Sequence, residues 1–404
     1  MTAEDDVERA VAFEPATTSA DHRAIEDRGE YLDAVEAIRA GHGPTAIDAE
    51  RASGYRYSQR AYLIQVFRRG AGTFLFDPPA IGGMSELGSA IGDDEWILHA
   101  ASQDLTCLRE VGIDPPRIFD TELAARLLGL ERVGLGAVVE ELLGIHLAKA
   151  HSAADWSTRP LPAGWLEYAA LDVELLVDVR DLLAARLLEA GKSEIAAQEF
   201  DAVLARDYNP PRTDPWRRMS DLHTVRGGRN LAVARELWTA RDDYAQSTDT
   251  APGRLVPDKA LSAAARVLPA SKRELAALKE FNGRASRTQL DRWWAAIERG
   301  MATDDLPAIR VAGDALPPIR AWAERNPPAA ARIGPAREAI AEIAEENAIP
   351  VENLLTPEHL RRIAWAPPEP ADAEHIGEAL KALGARPWQI ELTAQRIADS
   401  FSQA

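Results

Sequence analysis

The sequence holds a single cysteine, Cys107, among 404 residues. No intrachain disulfide can form, and a lone cysteine between Thr106 and Leu108 reads as a small buried residue. No stretch approaches the roughly 20 apolar residues of a membrane-spanning helix. The first residues, Met1-Thr2-Ala3-Glu4-Asp5-Asp6, are acidic and lack the basic and apolar regions of a signal peptide. A cytoplasmic protein is expected. There is no P-loop and no GxGxxG after a strand, so a nucleotide cofactor is not expected. The eight histidines are scattered, with no His-x-x-x-His pair to hold zinc. His99, beside the acidic residues described below, reads as a packing residue. No Ser-His-Asp constellation can be assigned.

What the sequence has in excess is acid, with a net charge of -18. The excess is uneven. Residues 212–300 carry 17 Lys+Arg against 11 Asp+Glu, a net of +6, whereas residues 301–404 carry 10 against 16, a net of -6. Residues 1–211 therefore hold a net of -18. The basic middle segment is where phosphate contacts are expected. The length exceeds one ordinary core and suggests two to four domains.

Five residues in three segments carry the chemistry: Asp48 and Glu50, then Asp104, then Tyr168 and Asp172. Thr45-Ala46-Ile47-Asp48-Ala49-Glu50, after Gly43-Pro44, reads as a strand, and residues two apart on a strand share a face. Asp104 follows the apolar strand Trp96-Ile97-Leu98 and opens a helix with Leu105, Cys107 and Leu108. Gly164 through Val177 contains no proline and has apolar residues at helical spacing, so Tyr168 and Asp172, four apart, share a helix face. Taken singly, each has an ordinary reading: a solvated Asp-x-Glu edge, a helix N-cap, a surface Tyr–Asp pair. Four converging carboxylates with a tyrosine that can hold a water point instead to phosphodiester hydrolysis by two divalent cations.

At this point the chain resembles ribonuclease D, of the DEDD exonucleases with tyrosine in the third motif. Asp48 and Glu50 match the first motif. Asp104 matches the second within His-Ala-x-Ser-x-Asp-Leu. Tyr168 and Asp172 match the third within Tyr-Ala-x-x-Asp-Val, preceded by the similar segment Asp155-Trp156-Ser157-Thr158-Arg159-Pro160-Leu161. One departure is Arg51, where many relatives carry an apolar residue; it bears on how the terminal nucleotide is seated. The resemblance implies an α/β RNase H-like exonuclease domain, a mixed sheet with flanking helices, followed by two all-α HRDC-like helical domains. It implies a 3′-5′ exoribonuclease acting in 3′-end trimming of tRNA precursors and other structured RNA. It also implies two cations, Mg²⁺ or Mn²⁺, roughly 3.5–4 Å apart. Asp48 would bridge them, Glu50 and Asp172 would complete one site, Asp104 would support the other, and Tyr168 would orient the attacking water. The partner would be RNA with a single-stranded 3′ end. A DNA exonuclease of the same fold and a non-catalytic RNA-binding scaffold remain as alternatives at the level of sequence.

The expected boundaries are a mobile acidic tail at 1–25, the exonuclease domain at 26–211, an HRDC domain at 212–300 and a second HRDC-like helical domain at 301–404. Pro210-Pro211 and Pro317-Pro318 mark the breaks. In the middle segment Asp258 is expected to cap one helix, and Ser271-Lys272-Arg273-Glu274 to form a capping box for the next. Thr356-Pro357-Glu358 reads as a further helix start.

Overall fold

The computed structural model describes residues 13–18, 22–148, 151, 153–309 and 315–403. The strands β1 (Glu14–Pro15), β2 (Ala24–Ile25), β3 (His42–Arg51), β4 (Ala61–Arg69), β5 (Gly72–Phe76), β6 (Trp96–Leu98), β7 (Ile118–Asp120) and β8 (Ile145–His146) all lie in the first half of the chain. Six of them form one mixed sheet in the order β2-β5-β4-β3-β6-β7, while β1 pairs in parallel with β8. β3, β4 and β5 are the antiparallel series; β6 and β7 run parallel to β3. The β4–β5 turn runs through Gly70 at φ 82°, and a Cβ there would meet the His42 ring at 2.9 Å, so only glycine fits.

One detail of the pairing opens the sheet. β6 pairs with β3 only at Thr45 and Ala46. Beyond Ala46, β3 continues beside β4 alone, with Asp48 opposite Gln65 and Glu50 opposite Leu63. The two acids thus stand past the last β3–β6 bridge, at the C-terminal end of both parallel strands, where open α/β sheets leave their crevice. The helix Ala163–Glu174 packs over β3, β4 and β5. Its small residues Ala169 and Ala170 join Leu63, Leu75 and the fully buried Trp156 in one apolar cluster. Small side chains on that face let the helix approach the sheet closely. Arg159 ties the preceding segment down, donating to Asp77 at 2.5 Å and to the Tyr62 carbonyl at 2.9 Å.

The middle helices Gly228–Ser247, Asp258–Val267, Lys272–Ala277 and Leu290–Ala302 enclose their own core around Leu237, Leu261, Phe281 and Trp293. The last helices, including Pro327–Glu346, Pro357–Trp365 and Pro387–Ser402, pack on one another and also against the exonuclease unit. Their buried residues, Trp322, Ile340, Ile363 and Ile397 among them, belong to the same apolar cluster as the sheet and its flanking helices. Polar contacts reinforce this junction. Arg386 donates twice to the buried Glu199, at 2.5 and 2.7 Å, and Trp388 Nε1 donates to the same carboxylate at 2.8 Å. Lys192 Nζ reaches the carbonyls of Leu127 and Asn347, both at 2.6 Å.

Two expectations change. Residues 1–12 and 19–21, part of the expected tail, lie outside the described residues. Ala24–Ile25, however, is an edge strand beside β5, and Glu14–Pro15 pairs with β8, so the folded unit starts before residue 26. Asp258 is the first residue of its helix rather than its cap; Pro257 takes the cap position. The Asp258 carboxylate instead pairs with the buried Arg241 at 2.7 Å and accepts from the Ser220 N–H. Ser271 does cap its helix, accepting from the Glu274 N–H, but the expected box does not close: the Glu274 carboxylate accepts from the Ala270 N–H and not from that of Ser271.

Candidate active site

A cleft of about 460 Å³ opens at the C-terminal ends of β3 and β6. Asp48, Glu50, Asp104, Tyr168 and Asp172 all line it, together with Arg51, Tyr55 and His99. Carboxylate oxygens of Asp48, Glu50 and Asp172 lie within 4.8 Å of one another, a spacing that can hold a metal ion. Asp104 lines the same cleft outside this triplet. It sits at the N-cap position of the helix Leu105–Glu110 yet makes no side-chain cap bond. Its carboxylate, 5% exposed, turns into the cleft instead, with Arg51 Nη2 3.8 Å away.

The route from β6 to Asp104 is strained and held. Ala100 adopts φ 61°, a left-handed conformation that costs an alanine roughly 1–2 kcal/mol. The buried Asp120 accepts from the Ala100 N–H at 3.0 Å and the Ala101 N–H at 2.8 Å. Hydrogen bonds to a charged group contribute about 1.5–3 kcal/mol each, enough to hold the turn. Asp120 also caps the helix Thr121–Leu127 through the Glu122 and Leu123 N–H groups. Asp120 is a functional position that its sequence context does not mark. Its signal was only that of a cap, an aspartate before Thr-Glu; the second pair of bonds comes from a turn about twenty residues earlier.

The electrostatics follow from enclosure. Burial first, then mutual repulsion, raises the acids: Glu50 is pushed up to about 10, and Asp104 and Asp172 stand well above the usual carboxylate range. Asp48 is raised by burial as well. The Tyr168 hydroxyl beside Asp172 is pushed far above its ordinary value by burial and by the Asp172 and Glu50 charges, so it stays protonated at neutral pH. Burial lowers His99 to about 4, keeping it neutral; its Nδ1 lies 2.9 Å from Thr121 Oγ1, and its buried Nε2 has no hydrogen-bond partner among the described residues. His99 therefore borders the cleft while one ring nitrogen packs structurally. Four hard oxygen donors with one nearby guanidinium fit divalent cations, whose charge would offset the repulsion.

Arg51, a departure noted in the sequence, gains a place here. The β3–β4 pairing slips between Glu50 and Arg51. Such irregularities re-aim side chains beside functional sites, and this one accompanies the approach of Arg51 to Asp104.

Comparison with known proteins bears on the fold and the family. Residues 23–188 match a 3′-5′ exonuclease family, 230–297 match the HRDC domain, and 315–401 match a 3′ to 5′ exonuclease C-terminal domain. Ribonuclease D of Nitrobacter hamburgensis is 34% identical over 224 residues, 53% of this chain and 57% of that protein. Ribonuclease D of Pseudomonas paraeruginosa is 32% identical over 252 residues, 61% of this chain and 66% of that protein. These matches span less than two thirds of the relatives' length. Two solved structures extend further. A Bifidobacterium adolescentis protein, 36% identical, covers 97% of this chain and all of its own with a TM-score of 0.89. Escherichia coli RNase D, described as an exoribonuclease involved in structured RNA processing, is 26% identical, covers 90% of this chain and 98% of its own, and has a TM-score of 0.67. An exonuclease sheet, an HRDC unit and a helical C-terminal unit follow one another in the same order along this sequence, and in this arrangement the chain is similar to ribonuclease D.

Proposed function

We propose that this chain is a metal-dependent 3′-5′ exoribonuclease that removes nucleoside 5′-monophosphates one at a time from a single-stranded 3′ end. The observation that carries the reading is the gathering of Asp48, Glu50 and Asp172 within 4.8 Å, with Asp104 and Tyr168 lining the same cleft. Asp48, Glu50 and Asp172 would hold one cation, and Asp48 with Asp104 a second; Mg²⁺ and Mn²⁺ suit such oxygen donors. Bound there, the cations would polarise the scissile phosphate and provide an activated water.

The chain's own groups do the rest. Tyr168, protonated at neutral pH and four residues from Asp172 on one helix face, orients the attacking water rather than acting as a free base. The water oxygen bonds to phosphorus, the bond from phosphorus to the preceding 3′-oxygen breaks, and that oxygen leaves with a proton as a new 3′-hydroxyl. Arg51 supplies positive charge at the Asp104 side of the cleft. We assign trimming of tRNA precursors and other structured RNA, in the cytoplasm, as the role; the basic HRDC segment supports it by offering contacts to the phosphate backbone. Among the described residues no helix is long and apolar enough to cross a membrane.

The test is digestion of matched 3′-labelled RNA and DNA strands with Mg²⁺ or Mn²⁺. Stepwise shortening of RNA, faster than of DNA, is expected. Equal or faster cutting of DNA would make the chain a DNA exonuclease of the same fold, and no cutting would leave an RNA-binding scaffold.

A further inference from the structure

The wall of the catalytic cleft is not held by the exonuclease fold alone. Gly54 and Tyr55 line the cleft, in the loop between β3 and β4. That loop is pinned by a turn of the HRDC unit some two hundred residues later in sequence. The Ala251 N–H donates to the Tyr55 carbonyl at 3.0 Å. Arg254 Nε donates to the Gly54 carbonyl at 2.7 Å, and its guanidinium lies over the Tyr55 ring, 3.9 Å from the centroid. Asp249 accepts from the Ser58 N–H at 2.8 Å. These contacts are polar or cation–π and fall on residues 249–254; the Tyr57 hydroxyl adds a bond to Asp242, on the helix before that turn, at 3.2 Å.

We propose that the HRDC unit is part of the active site's architecture, with Arg254 as a positioning residue. By fixing Gly54 and Tyr55 it sets the shape of the cleft that receives the 3′-terminal nucleotide. The HRDC unit then controls turnover on substrates too short to use its basic surface, a role apart from gripping longer RNA. The ordinary alternative is that Arg254, an exposed residue, contacts RNA phosphate directly. The geometry favours positioning, because its Nε is committed to a backbone carbonyl and its plane to a ring. The proposal rests on the exonuclease reading above.

The experiment compares the full-length wild type with Arg254→Ala and Arg254→Lys. Arg254 is exposed, so neither change touches the core, and an unaltered Tm checks this. On a trinucleotide RNA, Arg254→Ala should lower kcat/KM about tenfold, the effect of one lost hydrogen bond and one cation–π contact. Arg254→Lys, which keeps the charge and one donor but not the stacked fork, should recover only part of it. Without RNA, amide hydrogen exchange of residues 53–58 should quicken in Arg254→Ala. The salt slope of long-RNA binding should be unchanged. Unaltered trinucleotide kinetics would overturn the proposal. So would a salt slope smaller by about one together with full rescue by lysine, which would make Arg254 a phosphate contact. A wild type that leaves RNA intact would instead refute the exonuclease reading itself, an outcome the wild-type control reports separately.

Discussion

Glu50→Gln should stabilise the protein in the absence of divalent metal. Glu50 faces Asp48, Asp172 and Asp104 in an enclosed cleft, and its pKa rises from 4.5 to about 10. An acid whose folded pKa is raised binds more protons in the folded state than in the unfolded one between those two values. Stability therefore falls as pH rises from about 4.5 toward 10. At pH 7 the unfolded carboxyl has lost its proton, and holding it on in the fold costs about 3 kcal/mol as an upper bound. Glutamine keeps the volume and removes that cost. For a protein of this size a gain of 2–3 kcal/mol corresponds to a Tm higher by roughly 3 °C. Calorimetry with EDTA at pH 6, 7 and 8 measures it, and the gap between variant and wild type should widen as pH rises. Adding Mn²⁺ should narrow the gap, because a ligand at one hundred times its Kd stabilises the wild type by about 2.7 kcal/mol. The variant, missing one ligand, should gain less. A Glu50→Gln protein that melted below wild type in EDTA, or gained as much from Mn²⁺, would refute the account of the acid cluster.

Three further outcomes are expected. Tyr168→Phe should lower kcat on the order of 10²-fold with RNA affinity unchanged, as for a lost orienting hydroxyl; steady-state kinetics and a binding titration separate the two. Asp120→Ala should release the left-handed turn at Ala100, so Asp104 drifts and hydrolysis falls by at least about tenfold; wild-type kinetics in that variant would show that the turn holds itself. Glu199→Ala would strand Arg386 and the Trp388 N–H, costing about 3–5 kcal/mol as for a broken buried pair, and the last helices should unfold before the sheet. Hydrogen exchange resolved by segment reads that order, and uniform loss of protection would contradict it.

The three acidic segments were readable in sequence because each depends on local geometry: a two-residue strand period at Asp48 and Glu50, and a four-residue helix period at Tyr168 and Asp172. The mixed sheet followed from the resemblance, while the helical nature of both later units was readable from capping residues and proline breaks. What escaped depends on distant partners. Asp120 looks like any N-cap until the turn at Ala100 folds back on it. Arg51 looks like an exposed strand end until the pairing with β4 slips. Asp258 looks like a cap, and the buried Arg241 claims it instead. The contact of Arg254 with Tyr55 joins segments that no periodicity links. The last helices read as a separate domain because their amphipathic pattern shows an apolar face without showing what covers it. In the structure that face joins the exonuclease core.

The central claim is that four carboxylates hold the cations that cut the terminal phosphodiester of RNA. Its most direct test is a digest of 3′-labelled RNA with Mn²⁺ by wild type and by Asp48→Asn, with circular dichroism confirming that both are folded. Asparagine keeps the volume of Asp48 and removes its charge. Wild type should release labelled nucleoside 5′-monophosphate as its first product, stop in EDTA, and leave circular RNA intact; Asp48→Asn should release none. Near wild-type release by Asp48→Asn, cutting that persists in EDTA, or nicking of the circle would contradict the account.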